Sequence, residues 1–412
     1  MKTAFIIAEY NPFHNGHLYH IEQTRKALAP DYIAAVMSGN FVQRGDIAIC
    51  DKYLRAEAAA RCGLDLVVEL PVKYAVSNAS RFARGAVETI RAFGVEGAIS
   101  FGASGSLAEL KTAAEALSDP DMCSRIEQLS KGEGKTFPAA FDSVLRSCGR
   151  AETADMLKDP NNVLAIEYLR NIQKTDRLFA YAVDREAKYA HDAPVPSDRF
   201  ASAAFLREAI YKSYNASSEL YILNNLVDYV PRTALELLNN AVSEGAFPVD
   251  RDKFDAAAYS RLLTMSSDSF CKIDNVNQGL ENRITEAIKN NSSPFDAICD
   301  IKSKRHTMAR LRQIFMSAVL GVTKEDVVSP PSYIRVLAFN EKGRELLGRI
   351  RGTALLPIAA NLSDVVSLDS CKRDVVLEYA SDKLFDLCLP RPRGGNRPYQ
   401  AHAVYVNNNA GD

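Results

Sequence analysis

Two histidines flank a glycine in the stretch AEYNPFHNGHLYH, residues 8–20, and the apolar run TAFIIA, residues 3–8, leads straight into it. Imidazoles at the start of a helix stand beside its unpaired backbone N–H groups, where the positive end of the dipole favours a phosphate. His14 and His17 would gain hydrogen bonds or charge contacts as negative charge grows on a pentavalent phosphorus, which stabilises the transition state for attack on a phosphate. Gly16 would let that phosphate come close to the backbone. Two ordinary histidines at a helix start are the plainer reading of these four letters, and the flanking strand and turn favour the chemical one.

The elements around this turn must hold it in place. Asn11-Pro12 break the first apolar run, and the spacing of Leu18, Ile21, Ala27 and Leu28 predicts a helix after His14. YIAAVM (32–37), DLVVEL (65–70) and GAISFG (97–102) read as strands, separated by the helical patterns DKYLRAEAAARCG (51–63) and SRFARGAVETIRAFG (80–94). This alternation predicts an α/β fold, a parallel sheet with crossover helices. Ligands of such sheets bind at the carboxyl ends of strands, where residues 8–20, 38–44 and 102–104 fall. Residues 107–150 are helical in pattern, with SKGEGKTFPAAF as an interruption; DPNNVLAIEYLRNI (159–172) is helical and LFAYAV (178–183) is a further strand. RFASAAFLREAI (199–210) predicts a helix with Ser202 as its N-cap.

A domain boundary is expected near residue 215, giving domains 1–215 and 216–412. The second is mainly helical, with helices expected over 218–230, 231–245, 256–266, 279–290 and 307–322. YIRVLAFN (333–340) is a short apolar segment, TALLPIAA (353–360) a candidate strand, and the final residues, ending NNNAGD, are expected to fray.

A chain of 412 residues exceeds the usual size of one domain. A net charge of -1 excludes a protein that is basic throughout but leaves room for a local basic face. The start MKTAFIIAEY is too short and too soon acidic for a signal peptide, and no apolar run approaches the roughly 20 residues that span a bilayer. No membrane association and a cytoplasmic location are expected. The eight cysteines form no C-x-x-C pair and no cluster with histidine, so no metal site is expected; they read as reduced thiols, with Cys62 and Cys388 in the core. SGNFVQRGD puts Gln43 and Arg44 in a loop after a strand end, where an arginine can meet substrate or RNA phosphate or simply face solvent. DIKSKRHTMARLRQIF gathers Lys302, Lys304, Arg305, His306, Arg310 and Arg312 with few acids nearby. That excess is a candidate RNA-phosphate patch, with a solvated helix face as the plainer reading.

The strings AEYNPFHNGHLYHI, VMSGNFVQRG, DLVVELP, PNNVLAIEYL and RVLAFN together resemble one family, the bacterial tRNA(Met) cytidine acetate ligases, within the H-x-G-H nucleotidyltransferase superfamily, which implies a Rossmann-like (HUP-type) parallel sheet with helices on both faces, followed by a mainly helical C-terminal domain. The resemblance extends over most of the chain. It implies an enzyme that activates acetate with ATP as acetyl-adenylate and transfers the acetyl group to N4 of the wobble cytidine of elongator tRNA(Met). It places ATP on Ile7, Ala8, Glu9, Tyr10, Asn11, Pro12, Phe13, His14, Asn15, Gly16, His17, Leu18, Tyr19 and His20, and on Gly102, Asn161 and Arg185. A glycine at a strand end, an amide and a guanidinium fork all suit that role. Ser202 and Arg207 match the family's Ser/Thr-rich turn with a basic residue, and would hold the outer phosphates. The threonine expected two residues after the serine is Ala204 here, which removes one hydroxyl contact.

The mechanism so implied has acetate attack the α-phosphorus while His14 and His17 steady the growing charge, and magnesium and Arg207 neutralise the departing pyrophosphate. The cytidine must then leave its stack to reach the acetyl-adenylate. With the resemblance in view, the basic stretch and the second domain are expected to bind tRNA. An adenylyltransferase acting on a small phosphorylated metabolite, or a non-catalytic nucleotide- and RNA-binding protein, are the alternatives. The acyl pocket, the oligomeric state and the group that takes the proton from the cytidine amine stay unassigned, with His191 and Asp192 as candidates for the last.

Overall fold

The computed structural model describes residues 2–132, 137–173, 176–184, 199–216, 223–277, 279–303 and 305–407. Ten strands are described: β1 Thr3–Ala8, β2 Tyr32–Ser38, β3 Phe41–Val42, β4 Asp46–Ile47, β5 Leu66–Leu70, β6 Gly97–Ala103, β7 Leu178–Asp184, β8 Ile334–Phe339, β9 Ile358–Ala359 and β10 Val404–Tyr405. The main sheet runs in the order β10-β8-β5-β2-β1-β6-β7, with β9 beside β8, while β3 and β4 form a separate hairpin. β5, β2, β1, β6 and β7 are mutually parallel. Alternation of side chains gives each strand two apolar faces: Phe5, Val36, Val68 and Ile99 enter one core, and Ala4, Ile6, Ile33 and Ala35 enter the other.

Strand order explains where a ligand can sit. From β1 the chain steps outward through β2 to β5, then returns to the other side of β1 for β6 and β7. Crossovers therefore leave β1 and β6 in opposite directions, and a crevice opens beyond their carboxyl ends. The residues after Ala8 and those around Gly102 face each other across that opening.

Beyond residue 216 the chain is mainly helical, with helices at Arg232–Ser243, Arg251–Leu263, Leu280–Asn290, Pro294–Ile301, Met308–Leu320 and Lys372–Leu387. Part of it nevertheless completes the sheet. The apolar segment YIRVLAFN is β8, which pairs antiparallel with β5, and β10 pairs with β8 in turn. Arg335 obscures this in the sequence because a cation interrupts the apolar run. It is buried, and Nη1 meets Glu69 Oε2 at 3.2 Å and Asp382 Oδ2 at 3.3 Å. Lys52 Nζ lies 2.7 Å from Glu69 Oε1 and 2.7 Å from Asp382 Oδ1. Two cations and two carboxylates thus neutralise each other inside the molecule and tie the helix Lys372–Leu387 to the sheet.

Two other expectations are corrected. In place of a helix over 218–230, the described part of that segment, 223–230, holds only a 3-10 turn at Asn224–Leu226. Its carbonyls serve another element: Asn15 donates its backbone N–H to the Tyr229 carbonyl at 2.8 Å and its side-chain amide to the Asp228 carbonyl at 2.9 Å. Of the candidate strand 353–360 only Ile358–Ala359 pairs, because Leu355 instead donates to the Ala92 carbonyl in a loop. All eight cysteines are free, and burial pushes Cys62 to about 11 and Cys388 to about 12. No described helix is long and apolar enough to cross a membrane.

Candidate functional site

The helix Asn15–Leu28 begins with a cap built from the two histidines themselves. His14 Nδ1 accepts the Gly16 N–H at 3.0 Å, and His17 Nδ1 accepts the His14 N–H at 3.2 Å, closing a reciprocal capping box. An Nδ1 that accepts carries no proton, so each neutral ring holds its proton on Nε2. The rings stack with centroids 3.7 Å apart, and Tyr10 and Phe13 pack against His17 at 4.8 and 5.6 Å. H-x-G-H is therefore a device that fixes two Nε2–H donors side by side at a helix start. Tyr10, just before it, takes a left-handed φ of 49°, a local strain of the kind that functional turns carry.

These residues open onto a cleft of about 1360 Å3. That exceeds the roughly 300–1,000 Å3 of a typical small-molecule site, leaving room for a second reactant. Its walls include Ile7, Ala8, Glu9, Tyr10, Asn11, His14, Gly16, His17, Tyr19, His20, Gly102 and Asn161, and also Ser202, Ala204 and Arg207. Ser202 Oγ accepts the Phe205 N–H at 3.2 Å, capping the helix Ala203–Ala216 as expected. His20 hydrogen-bonds Ser100 at 3.0 Å. Asn161 donates to Asp159 at 2.9 Å, while its buried neighbour Asn162 accepts the Ser104 N–H and anchors the loop after β6.

Pro12, Phe13, Asn15 and Leu18 do not line the cleft. Phe13 and Leu18 pack into the apolar core, and Asn15 ties the turn to residues 199, 228 and 229, so they shape the turn from behind. Arg185, His191, Asp192 and Lys304 lie outside the described residues. The basic stretch divides. Arg312 reaches the cleft with Gln43 and Arg44, whereas Lys302 and Arg305 are exposed elsewhere and Arg310 donates to the Asn275 carbonyl at 2.6 Å. Arg310 is thus committed to holding the helical part together.

Sequence reading missed three contributors. Arg55 sits in the alanine-rich segment LRAEAAAR, which resembles an ordinary helix surface, yet it is buried. Its guanidinium donates to the carbonyls of Glu9 at 2.6 Å, Ser38 at 3.1 Å and Cys50 at 3.1 Å, and to that of Gly39. It clamps the ends of β1 and β2 together. Asp46 and Arg251, 3.6 Å apart, join the β3–β4 hairpin to the helix Arg251–Leu263. Arg207 donates to the Asn11 carbonyl at 2.8 Å. Burial lowers its pKa, with Asp46 and Glu9 opposing and Arg251 and Arg44 adding to the effect. A desolvated cation beside two more arginines suits a polyanion.

Gly45 sets the spacing of this wall. Its φ is 69°, and a Cβ there would stand 2.6 Å from the Arg312 carbonyl carbon. Gly45→Ala is expected to cost about 1–3 kcal/mol and to part the hairpin from the helix Met308–Leu320. Thermal unfolding together with nucleotide affinity would check this; an unchanged affinity would show that the hairpin spacing does not shape the cleft.

A parallel sheet with its histidine turn at the switch point defines a nucleotide-handling α/β class, and the family described as HIGH Nucleotidyl Transferase matches residues 1–397. The tRNA(Met) cytidine acetate ligase of Acetivibrio thermocellus is 31% identical over 405 residues, 95% of this chain and 96% of the relative. That of Thermotoga maritima is 35% identical, covering 97% and 99%. The crystal structure of Thermotoga maritima TmcAL bound with alpha-thio ATP superposes with a TM-score of 0.88 at 31% identity, over 99% of this chain and all of that one. The chain belongs to the HIGH nucleotidyltransferases and, within them, to the tRNA(Met) cytidine acetate ligase family.

Proposed function

We propose that this protein is an ATP-dependent ligase that activates acetate as acetyl-adenylate and acetylates N4 of the wobble cytidine of elongator tRNA(Met). The observation that carries this reading is the paired Nε2–H donors of His14 and His17 at the switch point, in a cleft that continues into the helical part. In this reading Gly102 and Asn161 face the nucleoside, and Ser202 and Arg207 hold the outer phosphates. Acetate attacks the α-phosphorus, pyrophosphate leaves, and the two imidazoles donate to the phosphate oxygens as their charge grows.

Among the described residues no group of three His, Cys, Asp or Glu side chains converges to hold a metal ion. Magnesium, when bound with the triphosphate, would supply charge neutralisation, and the steps above rest on the chain's own groups. Residues 1–215 would then be the catalytic domain. The helical part after residue 216 is the proposed tRNA-binding part, with Arg44 and Arg312 at the cleft and Lys302 and Arg305 on its outer surface as phosphate contacts. Such an enzyme works in the cytoplasm.

The test is incorporation of radiolabelled acetate into purified tRNA with ATP, beside a set of other tRNAs and a reaction lacking RNA. Label in the wobble cytidine of elongator tRNA(Met) alone is the expected result. No label in any RNA, with pyrophosphate released on addition of a small phosphorylated metabolite, would replace this reading with an adenylyltransferase.

A further inference from the structure

The helix Arg251–Leu263 turns one face to the cleft: Arg251, Asp255, Ala258 and Leu262, at spacings of four, three and four residues. The face is graded. At one end Arg251 pairs with Asp46 at 3.6 Å and stacks on Tyr211 at 4.3 Å, within the electrostatic reach of Arg207. At the other end Ala258 and Leu262 meet an apolar recess to which Phe295 and Phe315 contribute, and Phe295 is 52% exposed there. A triphosphate has no use for an apolar recess, and a large ring left open to solvent inside a catalytic cleft suits a flat partner.

Asp255 lies between these two ends. It is exposed on the cleft wall, and its carboxylate makes no hydrogen bond or ion pair with the described residues, although Glu9, Asp46 and Glu208 in the same cleft are all engaged. We propose that the apolar recess holds the nucleobase of the substrate cytidine, with Phe295 as its stacking face and Asp255 as the acceptor of its exocyclic amine. The inference rests on the function proposed above.

The chemistry of the two groups fits the reaction. Stacking on an aromatic ring captures an extruded base, and a carboxylate accepts from the cytosine N4 amine while it repels the O4 of uracil. As the amine nitrogen bonds to the acetyl carbonyl carbon, the bond from that carbon to the bridging oxygen breaks and AMP leaves with the electron pair. The nitrogen then sheds one proton, which Asp255 takes and passes to water. Partial desolvation at the cleft wall, then Asp46 and Asp252, shift the Asp255 carboxyl upward, with Arg251 opposing. A more basic carboxylate is the better proton acceptor.

The two half-reactions separate this proposal from the function it rests on. Acetate-dependent exchange of pyrophosphate into ATP needs no RNA, whereas transfer to tRNA needs the base. Phe295→Ala is expected to keep exchange within about twofold and to lower kcat/KM for tRNA about ten- to hundredfold, with Phe295→Trp restoring most of it. Asp255→Asn is expected to keep exchange and lower kcat for transfer about 10²-fold or more. Transfer at the wild-type rate in either variant would overturn the proposal, as would parallel loss of exchange, which would put both side chains in the ATP site. A wild-type protein without acetate-dependent exchange would instead sink the ligase reading itself.

Discussion

Replacing His17 by alanine is expected to lower acetate-dependent pyrophosphate exchange by about 10²–10³-fold, the usual cost of losing one preorganised donor to a developing oxyanion. The ring also accepts the His14 N–H and stacks on the His14 ring, so the variant loses half of the capping box and loosens the second donor. Loss of such a cap costs about 1 kcal/mol, which for a chain this long shifts the melting temperature by only a few degrees. A large loss of exchange beside a small loss of stability would therefore mark a chemical role. Exchange at the wild-type rate would reduce the pair to a structural cap.

The second large effect belongs to stability. Lys52→Met removes the ammonium that holds Glu69 and Asp382 and leaves two buried carboxylates beside one buried cation, Arg335, with Asn40 still donating to Asp382. Breaking a buried pair from one side costs about 3–5 kcal/mol, because the remaining charge keeps its desolvation penalty and loses its partner. Urea denaturation should show that loss, and the double variant Lys52→Met with Glu69→Gln should recover part of it by restoring neutrality. A loss below about 1 kcal/mol in the single variant would mean that water reaches the cluster and screens it.

The quartet also marks the limit of local reading. Periodicity is a property of neighbouring residues, so the strands from β1 to β7 that build the parallel sheet, and the helices between them, were legible from spacing alone. The turn at His14 was legible for the same reason, since its cap closes within three residues. Resemblance added Gly102, Asn161, Ser202 and Arg207, and all four line the cleft.

What the tertiary structure decided are the pairings between distant segments. Lys52 bonds a carboxylate 330 residues away, and Arg207 bonds a carbonyl 196 residues away; no window of sequence contains either pair. β8 lies beside β5, where its backbone pairs, its apolar residues are buried and Arg335 meets two buried carboxylates. Arg310 and Arg312 looked alike in one basic run, yet one faces a carbonyl of the helical part and the other the cleft, since two residues along a helix turn a side chain by more than half a circle. The amino-acid sequence by itself determined the strand, the histidine turn and the helix that follows, through backbone preferences that act over a few residues. Which cations, carboxylates and rings face that turn was decided by the packing of the whole chain, because charge and apolar surface are satisfied in space rather than along the sequence.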